Sequence, residues 1–312
     1  MRVLGLSAGN PGGSAEILLS IALSAAEDSG AEAALVRLHD LVLPTRPVGP
    51  DDAAGADDGP WLWDELMESD GLIVSTPIYS RTIAGVLKLV ADRLSGPAAD
   101  VAFAESHKQS LAADETPPVA FPYDERVFRP RVAGFIAVGG SLGHAWKALA
   151  LPLMHQMTFS SQIAVADQLL VGGAGMPRSV VLDDVAVAGA ARVGRSVGSQ
   201  LGRGFDQVSY RGEPGLCPLC HLSVVVVDGD AVECATCGAG GRLIVEDGKS
   251  LIELNHPRRS IIGIEEKRAH FVELQETAAA QIAMADEIAR RAAAYRGFDR
   301  RITPQTARRA IA

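Results

Sequence analysis

Short runs of apolar residues alternate along the chain with stretches whose apolar positions recur every three or four residues. Val3, Leu4 and Leu6 form the first run, and Ile17, Leu18 and Ile21 open a helical pattern over residues 14–29. Ala33 to Leu38 is a second run. A polar loop through Asp58 and a short helix around Trp61 to Met67 lead to a third, Gly71 to Ser75. A helix over Ile83 to Leu94, a strand over Val132 to Val138, a helix over Ala145 to Met157, a strand region from Ile163 to Leu170 and a helix over Asp183 to Leu201 complete the series. Strand followed by helix, five times over, predicts an α/β fold with a doubly wound, five-stranded parallel sheet. Residues 95–131, rich in Pro and Ala, are expected to form a long connection without secondary structure that serves as a loop or lid.

Composition adds little to that picture and removes some alternatives. The 312 residues are 47% hydrophobic and 21% charged, as expected of a folded globular chain. No uninterrupted apolar run reaches the roughly 18 residues of a membrane span, and Met1-Arg2 leads directly into the first strand. We therefore expect a cytoplasmic protein with no membrane partner. A formal net charge of −9 argues against a general nucleic-acid binder.

A doubly wound sheet binds its ligand at the carboxyl ends of the strands, beside the point where strand order reverses. Three loops stand there. The first, Ser7-Ala8-Gly9-Asn10-Pro11-Gly12-Gly13-Ser14, is a Gly-rich turn running into a helix start, an arrangement that aims backbone N–H groups at an anion. Gly12 and Gly13 are adjacent and no Gly-Lys-Ser/Thr follows, so neither a dinucleotide fingerprint nor a P-loop is present. A monoester phosphate held by Ser7, Gly9, Gly12, Gly13 and Ser14 fits; an ordinary strand-to-helix turn with Ser14 as its cap is the alternative. The second loop is Ser75-Thr76-Pro77-Ile78-Tyr79-Ser80-Arg81, in which Tyr79 offers a ring to a planar ligand and Ser and Thr offer donors. The third, Gly139-Gly140-Ser141-Leu142-Gly143-His144, lets backbone N–H groups approach a flat ring. Together they describe a site for a phosphorylated planar heteroaromatic.

A different chemistry follows downstream. Cys217-Pro218-Leu219-Cys220 and Cys234-Ala235-Thr236-Cys237 are separated by thirteen residues and account for all four cysteines. Two such knuckles joined by a hairpin (Val224 to Val227, turn at Asp228 to Asp230, Ala231 to Glu233) predict a zinc ribbon, a four-cysteine site for structural zinc, with iron less favoured. His221 and His256 are read as bystanders. Farther on, Phe271, Leu274, Ala278, Ile282, Ala285, Ile288 and Ala292 recur at helical spacing, which predicts an amphipathic helix packed on the core or on another subunit. Arg290, Arg291, Arg300, Arg301, Arg308 and Arg309 are expected to form a solvated face. The chain thus divides into residues 1–205, a ribbon module at 213–256 and a C-terminal helix and tail at 257–312.

Over residues 1–205 the three loops, together with Gly85, Leu87-Lys88 and Asp92-Arg93, resemble the flavodoxin-like NAD(P)H-dependent FMN oxidoreductases, which include FMN reductases and iron-sulfur flavoproteins. The resemblance implies that the loop from Ser7 to Ser14 binds the FMN phosphate, that Thr76, Pro77, Ile78, Tyr79 and Ser80 border the isoalloxazine, and that Gly139, Gly140 and Ser141 meet its pyrimidine end. It implies NAD(P)H as co-substrate, a small aromatic, quinone-like or flavin acceptor, ping-pong turnover and a homo-oligomer. Tyr79, Arg81 and His144 are the candidates for direct roles in turnover. Two departures stand out. Many relatives carry a basic residue where this chain has Gly9 or Asn10, and residues 40–60 lack the cysteines of the iron-sulfur members. A flavodoxin-type electron carrier with a metal ribbon is the alternative function, and a flavin-free regulatory or nucleic-acid-binding protein is a third.

Overall fold

The computed structural model describes residues 1–45, 57–96, 99–117, 122–256, 260–295 and 297. Arg300, Arg301, Arg308 and Arg309, and most of the polar loop before Asp58, lie outside the described residues.

Five parallel strands, β1 (Arg2–Ser7), β2 (Glu32–Arg37), β3 (Gly71–Tyr79), β5 (Val132–Val138) and β6 (Ala164–Val171), pair in the order β2-β1-β3-β5-β6. Their two faces bury different side chains, which is why the central strands read as unbroken apolar runs. Val3, Ile73, Val132 and Ile136 meet helices α1 (Ser14–Glu27) and α6 (Asp184–Gly198). Leu4, Leu6, Leu72, Val74 and Phe135 meet α2 (Gly59–Met67), α3 (Gly85–Leu94) and α5 (Ala150–Met154). The sequence order of β1 and β3 in the sheet places the reversal between them.

Helices α1 and α6 lie unusually close. A Cβ at Gly194 of α6 would stand 1.9 Å from the Ala22 carbonyl oxygen of α1, so the contact is backbone against backbone. Asp183 caps α6 by accepting from the N–H groups of Val185 and Ala186. With only a hydrogen at residue 194 the two helices approach until their ridges interlock on the sheet.

Within residues 1–205 three expectations change. Residues 95–131 carry α4 (Val101–Ala112), capped by Asp100 accepting from Phe103 N–H, and a 3-10 turn over Glu125–Phe128. Tyr123 packs edge-on against Phe128 and lies 5.3 Å, ring centre to ring centre, from His107. The described part of the segment carries helical structure where a featureless connection is expected, and Asp100, a favoured N-cap residue, is its signal in the sequence. The helix expected over Ala145 to Met157 is broken into 3-10 turns flanking α5, because Pro152 is tolerated only in a first helical turn. The third strand runs on to Tyr79 and folds back through β4 (Thr82–Ile83).

The cysteine module is a four-stranded antiparallel sheet, larger than the expected hairpin. Strands β7 (Val225–Asp228), β8 (Ala231–Cys234), β9 (Gly240–Glu246) and β10 (Lys249–His256) lie in the order β10-β9-β8-β7. Contacts within the chain gather Met1–Arg268 into one unit and Ala269–Ala312 into another. The expected C-terminal helix is interrupted near Ala283 and Met284, forming α7 (Ile264–Ile282) and α8 (Ala285–Ala293).

Replacing Gly194 with Ala is expected to lower the unfolding free energy by about 3 kcal/mol, the upper end of overpacking costs. Gly85→Ala, where a Cβ meets nothing within 4 Å, should be neutral or slightly stabilising. Urea titrations of both variants check the contrast, and equal stabilities would contradict the close α1–α6 approach.

Candidate functional site

The pairing of β1, β3 and β5 brings the three predicted loops to one sheet edge. Ser7 is level with Ser75, Thr76 with Ala137, and Pro77 with Val138. Ala8 N–H extends the ladder by donating to Ser75 O at 2.9 Å. The turn that follows enters α1 through Gly13, which is the N-cap; Ser14 is already helical, so the alternative reading of Ser14 as the cap does not hold. A glycine has no side chain to cap with. Among the described residues, no protein acceptor faces the N–H groups of Ser14, Ala15 or Glu16. The Ser7 hydroxyl is fully buried without a partner at hydrogen-bonding geometry, its polar neighbour being the Glu16 carboxylate. A buried orphan hydroxyl beside an uncapped helix start fits an anionic group.

The loop also contains an anion of its own. Buried Glu16 accepts from Gly12 N–H at 2.9 Å and from Arg37, whose Nε and Nη2 lie 2.7 and 3.0 Å from its two oxygens. The hydrogen bond from Arg37 holds the Glu16 carboxyl below its ordinary range against the opposing effect of burial. Neither Glu16 nor Arg37 stands out in the sequence: Glu16 reads as a polar position in an amphipathic helix, and Arg37 as the polar end of a strand.

In the second loop, the hydroxyls expected to meet a ligand serve the backbone instead. Ser75 Oγ donates to Ala15 O at 2.8 Å, and buried Thr76 Oγ1 accepts from Ala84 N–H at 3.0 Å. Pairing of Ile78 with Ile83 and of Tyr79 with Thr82 makes a two-residue hairpin whose turn residues, Ser80 and Arg81, have φ of 48° and 76°. Positive φ at both turn positions is the geometry that matches strand twist, here adopted without glycine. Such left-handed residues cost about 1 kcal/mol or more each. Tyr79 stands exposed on the hairpin, and Arg81 Nε donates to Ala145 O at 2.8 Å, tying this loop to the third.

In the third loop, Gly139 N–H donates to Val171 O and its carbonyl accepts from Ala174 N–H, so Gly139 belongs to the β5–β6 ladder. The N–H groups of Gly140 and Ser141 have no acceptor among the described residues. His144 and Trp146 are exposed on the turn that follows.

The four cysteines come together away from this edge. All are buried, and their sulfurs lie within 4.8 Å of one another, with Cys217 to Cys237 at 3.5 Å and Cys220 to Cys234 at 3.4 Å. A disulfide needs about 2.05 Å. A tetrahedral metal with sulfur bonds of about 2.3 Å spaces its ligands by roughly 3.8 Å, so the set fits one ion. Hydrogen bonds from Cys220 and Cys237 hold the Cys217 thiol below its ordinary range, against Cys234 and burial. The His221 ring stacks on Tyr210 at 3.7 Å, outside the cluster, and the His256 side chain lies outside the described residues. Gln168 of β6 donates to Cys220 O at 2.7 Å and joins the ribbon to the main sheet. Beside that joint is a cavity of about 210 Å³ bordered by His155, Phe159, Tyr210, His221 and Lys267. Burial lowers His155 to about 4, and it bonds Gln168 Oε1 at 3.1 Å.

Residues 1–174 match the family of NADPH-dependent FMN reductases. The flavone synthase cfoJ of Aspergillus candidus is 37% identical over 263 residues, which cover 79% of each chain. A solved flavone reductase superposes with a TM-score of 0.81 at 26% identity, covering 97% of this chain and 100% of its own. The Trp repressor binding protein from Bacillus subtilis shares 23% identity over 62% of this chain, with a TM-score of 0.40.

Because Glu16 titrates lower folded than unfolded, its stabilisation is complete above the ordinary carboxylate range and is lost as pH falls through the folded value. Glu16→Gln should therefore cost about 2 kcal/mol at pH 7 and progressively less in acid. Urea unfolding at neutral and acid pH measures the difference; a cost independent of pH would contradict the ion-pair assignment.

Proposed function

The chain belongs to the NADPH-dependent FMN reductase family and is an NAD(P)H-dependent FMN oxidoreductase, and from that premise we propose that its acceptor is a flavone-type planar phenolic whose C2–C3 double bond is reduced. The observation that carries this reading is the extent of the likeness to the flavone reductase, which takes in 97% of this chain, beyond the residues that the family match covers. Exposed aromatic rings at Tyr79 and Trp146, on the loops at the strand ends, suit a flat aromatic substrate.

In this reading the loop from Ser7 to Ser14 holds the FMN phosphate through Ser7 and the free N–H groups at the start of α1. Pro77, Ile78, Tyr79 and Ser80 border the ring system, with Thr76 setting the backbone from beneath. Gly140 and Ser141 present N–H groups to the pyrimidine end, and Gly139 positions them. Bound FMN supplies hydride transfer from the nicotinamide to the acceptor. The overall reaction is NADPH plus flavone plus a proton giving NADP⁺ and flavanone. Tyr79 stacks, Arg81 holds two loops in register through Ala145 O, and His144 delivers the proton.

The four cysteines hold one structural zinc in a closed site, in a cytoplasmic compartment where thiols stay reduced. Val272, Leu274, Ile282, Met284 and Ile288 are exposed on α7, α8 and the turn between them, which supports a homo-oligomer.

Anaerobic incubation with NADPH and flavone should yield flavanone by chromatography. Double-reciprocal plots should be parallel, because nicotinamide and acceptor occupy one ring face in turn. Reduction of quinones or free flavin with flavone left untouched would overturn the substrate assignment. Elemental analysis should find one zinc per chain, and chelation should remove the ribbon's β-structure while the flavin stays bound; iron in its place would favour an electron carrier.

A further inference from the structure

We infer that Arg178, from the loop between β6 and α6, supplies the positive charge for the cofactor phosphate that the first loop lacks. The inference rests on the assignment of the phosphate to residues 7–14. Those residues contain no cation, and the charge nearest to them is Glu16, already matched by Arg37. That pair is neutral as a whole. A phosphate monoester is close to a dianion at neutral pH, and N–H dipoles alone leave it without a counter-charge beside a buried carboxylate.

The structure brings one more cation to this place. A side chain at Gly12 would have Arg178 Nη2 at 3.6 Å and Arg178 Nε at 4.0 Å from its first carbon. Gly12 has φ of 66° and no side chain, so the guanidinium lies directly over the loop. Arg178 is itself left-handed, with φ of 67°, and no carboxylate pairs with it among the described residues. The residues after it are anchored: the turn Ser179–Leu182 buries Val180 in the layer between α1 and the sheet. Distance along the chain hides this, since 165 residues lie between Gly12 and Arg178 in the sequence. Packing of α6 on α1 brings the loop before α6 to the loop before α1. An Arg fork in this position gives the phosphate two directed charge-assisted donors.

The test compares FMN with riboflavin, which lacks the phosphate, by fluorescence titration of the flavin-free protein. The wild type should prefer FMN. Arg178→Gln should weaken FMN about tenfold or more, in keeping with the loss of a charge-assisted hydrogen bond, and leave riboflavin affinity unchanged, which also shows that the variant is folded. Arg178→Lys should restore part of the loss. FMN affinity should fall with added salt in the wild type more steeply than in Arg178→Gln. Equal loss for both flavins, no loss for either, or a change confined to NADPH relative to NADH would overturn the role of Arg178. A wild type that does not distinguish FMN from riboflavin would instead overturn the phosphate assignment, and this inference with it.

Discussion

β1 and β3 are hydrogen-bonded neighbours whose connections leave on opposite faces of the sheet, α1 to one side and α3 to the other. Neither helix can cover the gap between them at the carboxyl edge. The backbone there keeps free N–H groups that would be satisfied anywhere else in the sheet. Ser75 spans the gap from below by donating to Ala15 O, and Ala8 donates to Ser75 O, so the edge is held at a fixed width. The other features of the candidate site are consequences of that opening: a helix without a side-chain cap, an orphan hydroxyl at Ser7, and a hairpin folded back at Tyr79.

Charge is arranged on a shorter scale than the chain's overall acidity. A formal net charge of −9 says that the surface repels anions at long range, yet screening confines that repulsion to about 8 Å at physiological ionic strength. Beside the first loop stand two cations, Arg37 and Arg178, with the carboxylate of Glu16. The buried carboxylate also has a structural purpose, since it occupies Gly12 N–H and fixes the turn before any ligand arrives.

The ribbon is joined to the sheet through backbone and rings. Gln168 lies inside β6, where its Oε1 bonds the His155 ring on one side and its Nε2 donates to the Cys220 carbonyl on the other. Tyr210 stacks on His221 immediately after the first knuckle. The first cysteine pair is thereby registered against the last parallel strand, and the ribbon shares a unit with the main sheet.

Much of this was legible in the residues themselves. Apolar runs at Val3 to Leu6, Gly71 to Ser75 and Val132 to Val138 mark strands because a doubly covered strand has no polar face, and the spacing of Cys217, Cys220, Cys234 and Cys237 marks one four-sulfur cluster because its members are local. The three loops could be named for the same reason: each is a short, continuous segment. A single local residue also marks α4, whose first turn is closed by Asp100. What remained hidden depends on partners far apart in the chain. Thr76 and Ser75 look like ligand donors until the fold supplies Ala84 N–H and Ala15 O to occupy them. Glu16 looks like a surface acid until β2 sets Arg37 beside it, and Arg178 looks like a loop cation until α6 packs on α1. Local pattern determined the elements and the cysteine knuckles, because those are set by neighbours within a few residues; only tertiary structure decided which donors stay free and which charges meet, because hydrogen bonds and ion pairs are satisfied in space and not along the chain.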